Sequence, residues 1–463
     1  MEWYAIDKKY VNYLKKYDKF VPNIDYKNKM KCFLGVILTT EGIIEYSRYR
    51  LYAVNDAEYP DSVKNFSAYY GSTSIYPLDA YLGIDHLPFK ATVDAALRIA
   101  KVGADSSSYI AASQRLKEDF NLNICDNQIR EIVDYIGEII LQEDIRLTKE
   151  SLANYSPKNI RSARSGRRPR NGFVLFVKVD GAMFSTRPAK DDASGSKQKK
   201  EQESSGKENK LGVVFRSDKL IAPGVINNDY RRICRTGEIE YVATTKGIDE
   251  FQDRLLCVMI RNGLEDASDV VLISDGTAWI RKAKEKYFPS ATHILDLFYL
   301  KENTIDFGKY IFHNDKSKYT PWWKEVYEQL ESGQWQKVLD RPEIAIYKEE
   351  KDTPNGVVNL YHYIWNNRDI IDYPTYKAKG YFVGSGAIES GNKTALQELL
   401  KLAGERYIES AETLLALRTK LRSGLWDSLV VPFVYRLYSQ WHRSDNSIRN
   451  RQRAMHKKKT RYF

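Results

Sequence analysis

The sequence predicts an α/β domain that follows a mainly helical module. Two short apolar runs, residues 173–179 and 270–273, contain a single charged residue in total, Lys178. An Asp-Gly pair closely follows each run. Runs of this kind are typical of strands buried on both faces of a sheet. Residues 91–142 instead repeat their apolar side chains at intervals of three and four, which is the helical period. Buried strands after a helical region indicate the α/β class.

Length and charge limit the number of modules in the chain and the class of partner that it binds. The chain has 463 residues, enough for two or three modules, and its 43% hydrophobic content supports a sizeable core, which excludes wholesale disorder. Lys and Arg number 72 against 61 Asp and Glu, so the net charge is +11. A balance this basic favours a polyanionic partner, either nucleic acid or an anionic membrane surface.

No segment predicts secretion or membrane insertion. No stretch approaches the roughly 18 apolar residues of a spanning helix, and the charged start of the chain lacks the apolar core of a signal peptide. We therefore expect a cytoplasmic protein without a membrane partner. The four cysteines are scattered without a CxxC pair, so neither a disulfide framework nor a zinc site is predicted.

The first 154 residues predict strands and then helices. Residues 33–38 form an apolar run and residues 42–52 alternate, as strands do. Residues 108–120 and the segment after Asp126 have the helical period, and Asp126 can cap the second helix. These two helices predict a helix-turn-helix unit in a DNA-binding module at 38–154, with an ordinary pair of packed helices as the alternative.

Three further segments are distinguished by their charge or low complexity. Residues 155–172 predict an exposed basic linker, which either contacts phosphate or is simply solvated. Its cations are Lys158, Arg161, Arg164, Arg167, Arg168 and Arg170. Residues 187–210, rich in Ser, Lys, Glu and Gly, predict a long mobile loop between two strands. Residues 431–463 end in a cluster of Lys and Arg and predict a basic, polyanion-seeking tail.

Three acidic residues stand out because of the segments that present them. Asp180 and Asp275 follow the two predicted buried strands, and Glu389 lies where a Gly/Ser turn starts a helix. Taken singly, each residue also has a non-catalytic explanation. An Asp-Gly pair after a strand is usually a turn, and a glutamate early in a helix is usually a surface residue. Together, two strand-end aspartates and a helix glutamate are what a two-metal phosphoryl-transfer site requires, because carboxylate oxygens hold Mg²⁺ or Mn²⁺.

The same segments resemble the DDE transposases of bacterial insertion sequences, in the group with a Gly-Ser-Gly-x-x-Glu-x-x-x-Lys motif. The resemblance covers about residues 38–430 in family order. The matching pieces are Val179-Asp180-Gly181-Ala182, residues 208–215, residues 273–280, His293-Ile294-Leu295-Asp296, and Gly384 to Glu389 with Lys393.

This resemblance implies a ribonuclease-H-like catalytic core at 173–430 with loop and helical insertions, the latter around 307–376. It implies a catalytic and metal-binding triad of Asp180, Asp275 and Glu389 that takes two Mg²⁺ or Mn²⁺ ions. It also implies double-stranded DNA as partner, both transposon ends and target, and a homodimer or higher assembly. Lys393, one helical turn after Glu389, would approach DNA phosphate, with an intrahelical ion pair as the alternative.

The chain departs from this family at three positions outside the triad. Tyr299 stands where relatives tend to have His, and Glu398 and Tyr407 stand where an Arg and a Trp often follow the motif lysine. Because insertion-sequence copies decay, these departures bear on whether this copy is active. A DNA-binding protein that has lost catalysis is therefore a second hypothesis.

Residues 1–37 carry a shorter resemblance to ToxN/AbiQ ribonuclease toxins of type III toxin-antitoxin systems. It rests on residues 4–14, on Val21-Pro22-Asn23 and on residues 31–36, with Tyr10 and Lys31 at positions that such toxins use around RNA. The Ser/Lys segment that completes the toxin site is not recognisable after Leu38, where transposase-like sequence takes over. Some 37 residues are too few for a toxin core, so the simplest hypothesis is that an insertion element landed within a toxin gene. A ribonuclease toxin is the third hypothesis for the function of the chain, after an active transposase and a DNA-binding protein without catalysis.

Overall fold

The chain divides into two compact units in the computed structural model. Its described residues are 32–49, 51–52, 74–75, 90–155, 172–187, 205–219, 238–349, 353–354, 356–384 and 406–443. One unit comprises Met1–Ile139 and Trp426–Phe463, and the other comprises Ile140–Leu425. The first unit holds the predicted helix-turn-helix segment up to residue 139, and the second holds both predicted aspartates.

The first unit opens with a β-hairpin. Strands β1 (Cys32–Thr39) and β2 (Gly42–Tyr49) pair antiparallel along their whole length, and β3 (Leu51–Tyr52) pairs with β4 (Ser74–Ile75). The strands predicted in these segments are confirmed for β1 and β2. The sequence boundary drawn after residue 37 falls inside β1, which continues unbroken to Thr39.

Three helices follow the hairpin. Helix α1 (Val93–Asp105) is capped by Thr92, α2 (Tyr109–Phe120) is capped by Ser108, and α3 spans Asp126–Asn154. The predicted helices are thus confirmed, although Asp126 is the first helical residue and not the cap. The apolar stripe of α3 is buried as its period predicts, at Ile129, Ile132, Val133, Ile136 and Ile140.

The last described helix belongs to the first unit as well. A π-helical turn, Trp426–Val430, leads into α13 (Val431–Arg443). The Tyr435 hydroxyl on α13 donates to Asp94 of α1. The segment predicted as a basic tail, 431–463, therefore begins as a packed helix, and its residues 444–463 lie outside the described part of the chain.

A mixed β-sheet forms the centre of the second unit. Its strand order is β7-β6-β5-β8-β9. The strands are β5 (Val174–Arg187), β6 (Ser205–Arg216), β7 (Ile239–Thr244), β8 (Asp269–Ser274) and β9 (Thr292–Leu295). Strand β6 runs antiparallel to β5 and β7, whereas β8 is parallel to β5 and β9. A two-residue strand, β10 (Arg406–Tyr407), pairs with the far end of β5.

Helices cover both faces of this sheet, so the predicted α/β class is confirmed. Helices α4 (Ile248–Arg261) and α5 (Ala278–Tyr287) pack on the face of Leu175 and Val177. The face of Phe176 is covered by the other helices of the unit. These are α6 (Leu297–Ile311), α7 (Lys316–Glu331), α8 (Trp335–Leu339), α9 (Pro342–Ala345), α10 (Leu360–Asn367), α11 (Tyr373–Ala378) and α12 (Ile408–Arg422).

Two strands are longer than the sequence predicts. Strand β5 runs past Asp180 to Arg187, and β6 already begins at Ser205 inside the predicted loop. Thr186 pairs with Ser205 at the end of this ladder. The loop prediction is therefore wrong for residues 205–210, because backbone pairing in a long hairpin needs no apolar side chains. Residues 188–204 lie outside the described part.

Within the described residues, no helix is both long and apolar enough to cross a bilayer.

Candidate active site

The parallel pairing of β5 with β8 brings Asp180 and Asp275 to the same level of the sheet. The ladder ends where Lys178 pairs with Ile273, and each aspartate lies two residues further along its chain. Side chains two residues apart on a strand share a face, so Asp180 lies on the face of Phe176. Neighbouring strands are about 4.8 Å apart. The two residues therefore lie at one level on neighbouring chain segments, where the strands separate.

The sequence predicts Asp180 at the end of its strand. In the structure Asp180 lies in the interior of β5. Pairing with β6 continues through Asp180, which lies opposite Leu211, while pairing with β8 has already stopped. Its carboxylate is 6% exposed and accepts two hydrogen bonds. The Tyr299 hydroxyl donates to Oδ2 at 2.8 Å, and the Gly181 backbone N–H donates to Oδ1 at 2.9 Å. These bonds fix the orientation of the carboxylate.

Asp275 follows β8 in a tight turn that α10 holds in place. The Thr277 backbone N–H donates to Asp275 Oδ1 at 3.0 Å, and the Tyr363 hydroxyl donates to the Asp275 carbonyl oxygen at 3.0 Å. Burial, and then the nearby Asp275 charge, raise the pKa of Tyr363. The phenol therefore stays protonated and remains a donor to this turn.

Gly276 completes the turn, and both its backbone angle and its surroundings favour glycine. Its φ angle is +85°, which favours glycine, and a Cβ at this position would collide with the Asn367 side chain. Asn367 is in turn held by Arg281, whose guanidinium donates to Asn367 Oδ1 at 2.9 Å. The turn after Asp275 is thus packed directly against the helical insertion.

A buried ion pair lies beside the two aspartates. Asp296 follows β9, caps α6 by accepting from the Phe298 N–H at 3.0 Å, and has no exposed surface. Its Oδ2 lies 3.7 Å from Nζ of Lys178, which is also buried. Lys178 is on β5 and Asp296 follows β9, with β8 between them. The two side chains therefore meet above β8, beside the turn of Asp275.

The chain returns to this region just before the predicted glutamate. The Leu297 backbone N–H donates to the Val383 carbonyl at 2.9 Å. A Cβ placed on Gly384 would lie 3.6 Å from Asp296 Oδ1. Gly384 opens the Gly/Ser turn of the predicted motif, so the segment leading to Glu389 starts at the edge of the carboxylate site.

Ser274 and His293 form a second polar contact behind Asp275. Ser274 Oγ lies 2.8 Å from His293 Nε2, and both residues are buried. Burial, with smaller contributions from the charges of Arg281 and Lys284, lowers the pKa of His293 to about 4. The imidazole is therefore neutral at pH 7 and bonds to the serine that precedes Asp275 without adding charge to the site.

Seven predicted site residues lie outside the described part of the chain. They are Glu389, Lys393, Arg161, Arg164, Arg167, Arg168 and Arg170. Among the described residues no group of three or more His, Cys, Asp or Glu is arranged to hold a metal ion. The donor set of Asp180 and Asp275 fits a hard divalent cation, since both offer carboxylate oxygen, and a complete site requires a further ligand.

Sequence reasoning missed the groups that support the aspartates. Lys178 was visible as the one charge within the apolar run 173–179, which is a signal for a buried ion pair. The role of Tyr299 as a donor to Asp180 and that of Tyr363 at Asp275 depend on tertiary packing. The sequence marks Tyr299 only as a departure from the family resemblance, and it does not mark Tyr363. Trp279, half-buried, packs edge-on against the core residue Phe251.

Comparison of the sequence with protein-family models finds no match, and comparison with curated proteins finds none either.

Proposed function

We propose that the protein is a DDE-type DNA transposase that cuts DNA at transposon ends and joins the freed ends to target DNA. The observation that carries the proposal is the position of Asp180 and Asp275 at one level on adjacent parallel strands. The Gly-Ser-Gly-x-x-Glu-x-x-x-Lys motif, which begins beside Asp296, supplies the third carboxylate in this proposal.

The sheet supports a ribonuclease-H-like core at about 173–430. Numbered along the chain within this unit, the five main strands lie in the order 3-2-1-4-5, and the second strand runs opposite to the others. This is the order expected of that fold. It puts the first and fourth strands side by side, and these are the strands that present Asp180 and Asp275. Ligands of open α/β sheets bind at the carboxyl ends of neighbouring parallel strands.

Divalent metal would supply the chemistry that carboxylates cannot. When bound by Asp180, Asp275 and Glu389, two Mg²⁺ or Mn²⁺ ions would lower the pKa of the attacking water or 3′ hydroxyl and stabilise the leaving oxygen. Asp180 and Asp275 are pre-oriented for ligation by Tyr299 and by the turn at Gly276. Five residues of chain span at most about 18 Å, so Glu389 can reach the same site from Gly384.

DNA is the partner that best fits the charge of the chain. The net charge is +11, and the linker arginines Arg161, Arg164, Arg167, Arg168 and Arg170 would contact backbone phosphate. Lys393 would approach phosphate near the site. In this proposal α2 and α3 form the helix-turn-helix that reads the transposon end, and two copies of the chain hold two ends. We expect the protein to act in the bacterial cytoplasm, on the nucleoid.

The test is nicking of labelled DNA that carries the terminal repeats flanking the gene, with Mg²⁺ or Mn²⁺. We expect the intact chain to cut, and Asp180→Ala, Asp275→Ala and Glu389→Ala to bind DNA without cutting. Asp269→Ala is a matched control, because this half-buried aspartate opens β8 at the opposite end from Asp275.

Each outcome separates one hypothesis from another. If cutting persists without one of the three carboxylates, that residue is not a metal ligand. If the intact chain binds the ends but does not cut, the chain is a DNA-binding remnant. RNA cleavage that survives Asp180→Ala would instead favour a ToxN/AbiQ-like toxin activity of residues 1–37, which lie outside the described part up to residue 31.

A further inference from the structure

The buried Lys178–Asp296 pair is more than a link between strands. Burying two charges costs more free energy than their attraction usually returns, so a pair at this position calls for an explanation. Lys178 lies on β5, two residues before Asp180, and its Nζ atom is 3.7 Å from Asp296 Oδ2. Lys178 pairs with Ile273 of β8, two residues before Asp275, and its side chain crosses β8 to reach Asp296.

Charge is the property that this pair brings to the site. Lys178 carries a positive charge on the sheet face that also holds Asp180. Asp296 carries a negative charge just after β9, which is separated from β5 by β8. At the effective dielectric of protein sites, removal of one unit charge near a bound cation changes the affinity for that cation by about tenfold or more. A divalent cation at Asp180 and Asp275 would therefore respond to both charges.

We propose that Lys178 is a positioning residue that sets the divalent-cation affinity of the carboxylate site by acting as a built-in counter-ion to Asp296. The inference rests on the proposed metal-dependent function. The lysine neutralises the aspartate that lies next to the ligands, so that Asp180 and Asp275 remain the carboxylates available to the metal. It also limits affinity by repelling the incoming cation.

This proposal predicts changes of opposite sign in three variants. Lys178→Met removes the repulsion and leaves Asp296 to attract the cation, so Mn²⁺ binding should tighten about tenfold at pH 8. Asp296→Asn leaves the ammonium uncompensated, so binding should weaken by a similar factor. The double variant Lys178→Met/Asp296→Asn restores the wild-type charge, so its affinity should return to within about twofold of wild type.

The measurement is the binding of Mn²⁺ to the full chain, followed by the electron paramagnetic resonance signal of free Mn²⁺, with no DNA and no activity readout. Thermal unfolding with and without Mn²⁺ gives a second readout. Lys178→Met should lose stability without metal and regain it with Mn²⁺, because the cation then neutralises Asp296.

A second buried lysine offers a matched control. Lys420 Nζ lies 2.8 Å from Asp144 Oδ1, and the Lys420 side chain is 5% exposed, close to the 6% of Lys178. Lys420→Met should destabilise the chain equally with and without Mn²⁺. Its Mn²⁺ affinity should match that of wild type.

The outcomes distinguish this inference from the proposed function. If wild type binds no Mn²⁺, the metal site itself is wrong. If wild type binds but all three variants weaken binding alike, or if Lys178→Met behaves like Lys420→Met, the pair is only a structural tie. If Lys178→Met does not fold, Asp296→Asn and the double variant decide, because equal affinities for these two would also overturn the proposal.

Discussion

A hydrogen bond from helix α6 orients the carboxylate of Asp180. The Tyr299 hydroxyl donates to Asp180 Oδ2 at 2.8 Å from the first turn of α6. Tyr299→Phe keeps the ring and removes the donor. Groups that orient metal ligands typically change metal affinity or activity by 10–100-fold when lost, so we expect nicking to fall by about tenfold. The measurement is the rate of Mn²⁺-dependent nicking.

The control for Tyr299 is a tyrosine with the same chemistry elsewhere. Tyr287 donates to Asp253 Oδ1, also at 2.8 Å, on the opposite face of the sheet. Tyr287→Phe should cost stability of about 1 kcal/mol without changing the nicking rate per folded molecule. Equal nicking rates in Tyr299→Phe and wild type would show that Asp180 does not depend on this bond.

Gly276 allows a second comparison at the scale of one residue. Gly276→Ala meets both an unfavourable φ of +85° and the Asn367 side chain, whereas Gly380→Ala, at φ +75°, has no atom within 4 Å of its Cβ. We expect Gly380→Ala to cost about 1 kcal/mol from backbone strain alone. Gly276→Ala should cost more and also reduce nicking, because the Asp275 turn must move.

Urea unfolding of both alanine variants gives the two free energies. The difference between them isolates the packing of Asn367 against the Asp275 turn. If the two substitutions cost the same and nicking is unchanged, the turn tolerates displacement, and its packing against α10 has no part in the site.

The sequence singles out Asp180 and Asp275 as candidates, but it does not point to the groups that contact them. Asp180 and Asp275 follow apolar runs, and such runs are visible locally because burial on both faces removes polar residues. Lys178, Tyr299 and Tyr363 act across separate elements, and their contacts arise only when the sheet and α6 and α10 have packed. A pattern within one segment of the chain does not predict contacts between residues of separate elements.

Helix α12 is tied to the sheet through a buried glutamate. Glu412 accepts hydrogen bonds from the Thr244 hydroxyl at 2.7 Å and from the Thr245 N–H at 2.8 Å, and it pairs with Arg254 at 2.9 Å. Glu412→Gln preserves size but leaves Arg254 without this buried counter-charge. Breaking a buried pair costs about 3–5 kcal/mol when the remaining charge has no other partner. Arg254 still pairs with Glu250, so we expect a loss at the lower end of this range, measured by urea unfolding.

An exposed ion pair provides the comparison for Glu412. Asp306 pairs with Lys309 at 2.8 Å, and both side chains are more than 40% exposed. Asp306→Asn should cost less than about 1 kcal/mol, since solvent screens such pairs. A similar small cost for Glu412→Gln would mean that α12 does not depend on the glutamate for its attachment to β7.

At the scale of elements, prediction succeeded where side-chain pattern and backbone pairing agree. Strand β8 lies almost where its apolar run predicts. The hairpin of β5 and β6 extends further, because its outer part is held by backbone hydrogen bonds and leaves little trace in residues 187–210. The helices of the insertion were expected as a group, but their individual bounds were not.

The charge of the whole molecule leads to a prediction about DNA binding. Affinity for duplex DNA falls with salt by a slope of about 0.9 for each phosphate contact. Replacing Arg161, Arg164, Arg167, Arg168 and Arg170 by Gln should therefore lower the slope of log K against log salt by up to about 4.5 if all five touch phosphate. Fluorescence anisotropy with labelled DNA at several salt concentrations measures this slope.

Cations that are already paired within the protein are the appropriate controls. Arg146 lies between Glu143 and Glu150, and Lys309 pairs with Asp306. Their substitution by Gln should leave the slope unchanged, because a charge neutralised in the protein displaces few counter-ions from DNA. If the linker variant also keeps the wild-type slope, residues 155–172 are a solvated connection, and the cations that hold DNA must lie elsewhere, with the cluster in 444–463 the next to be replaced.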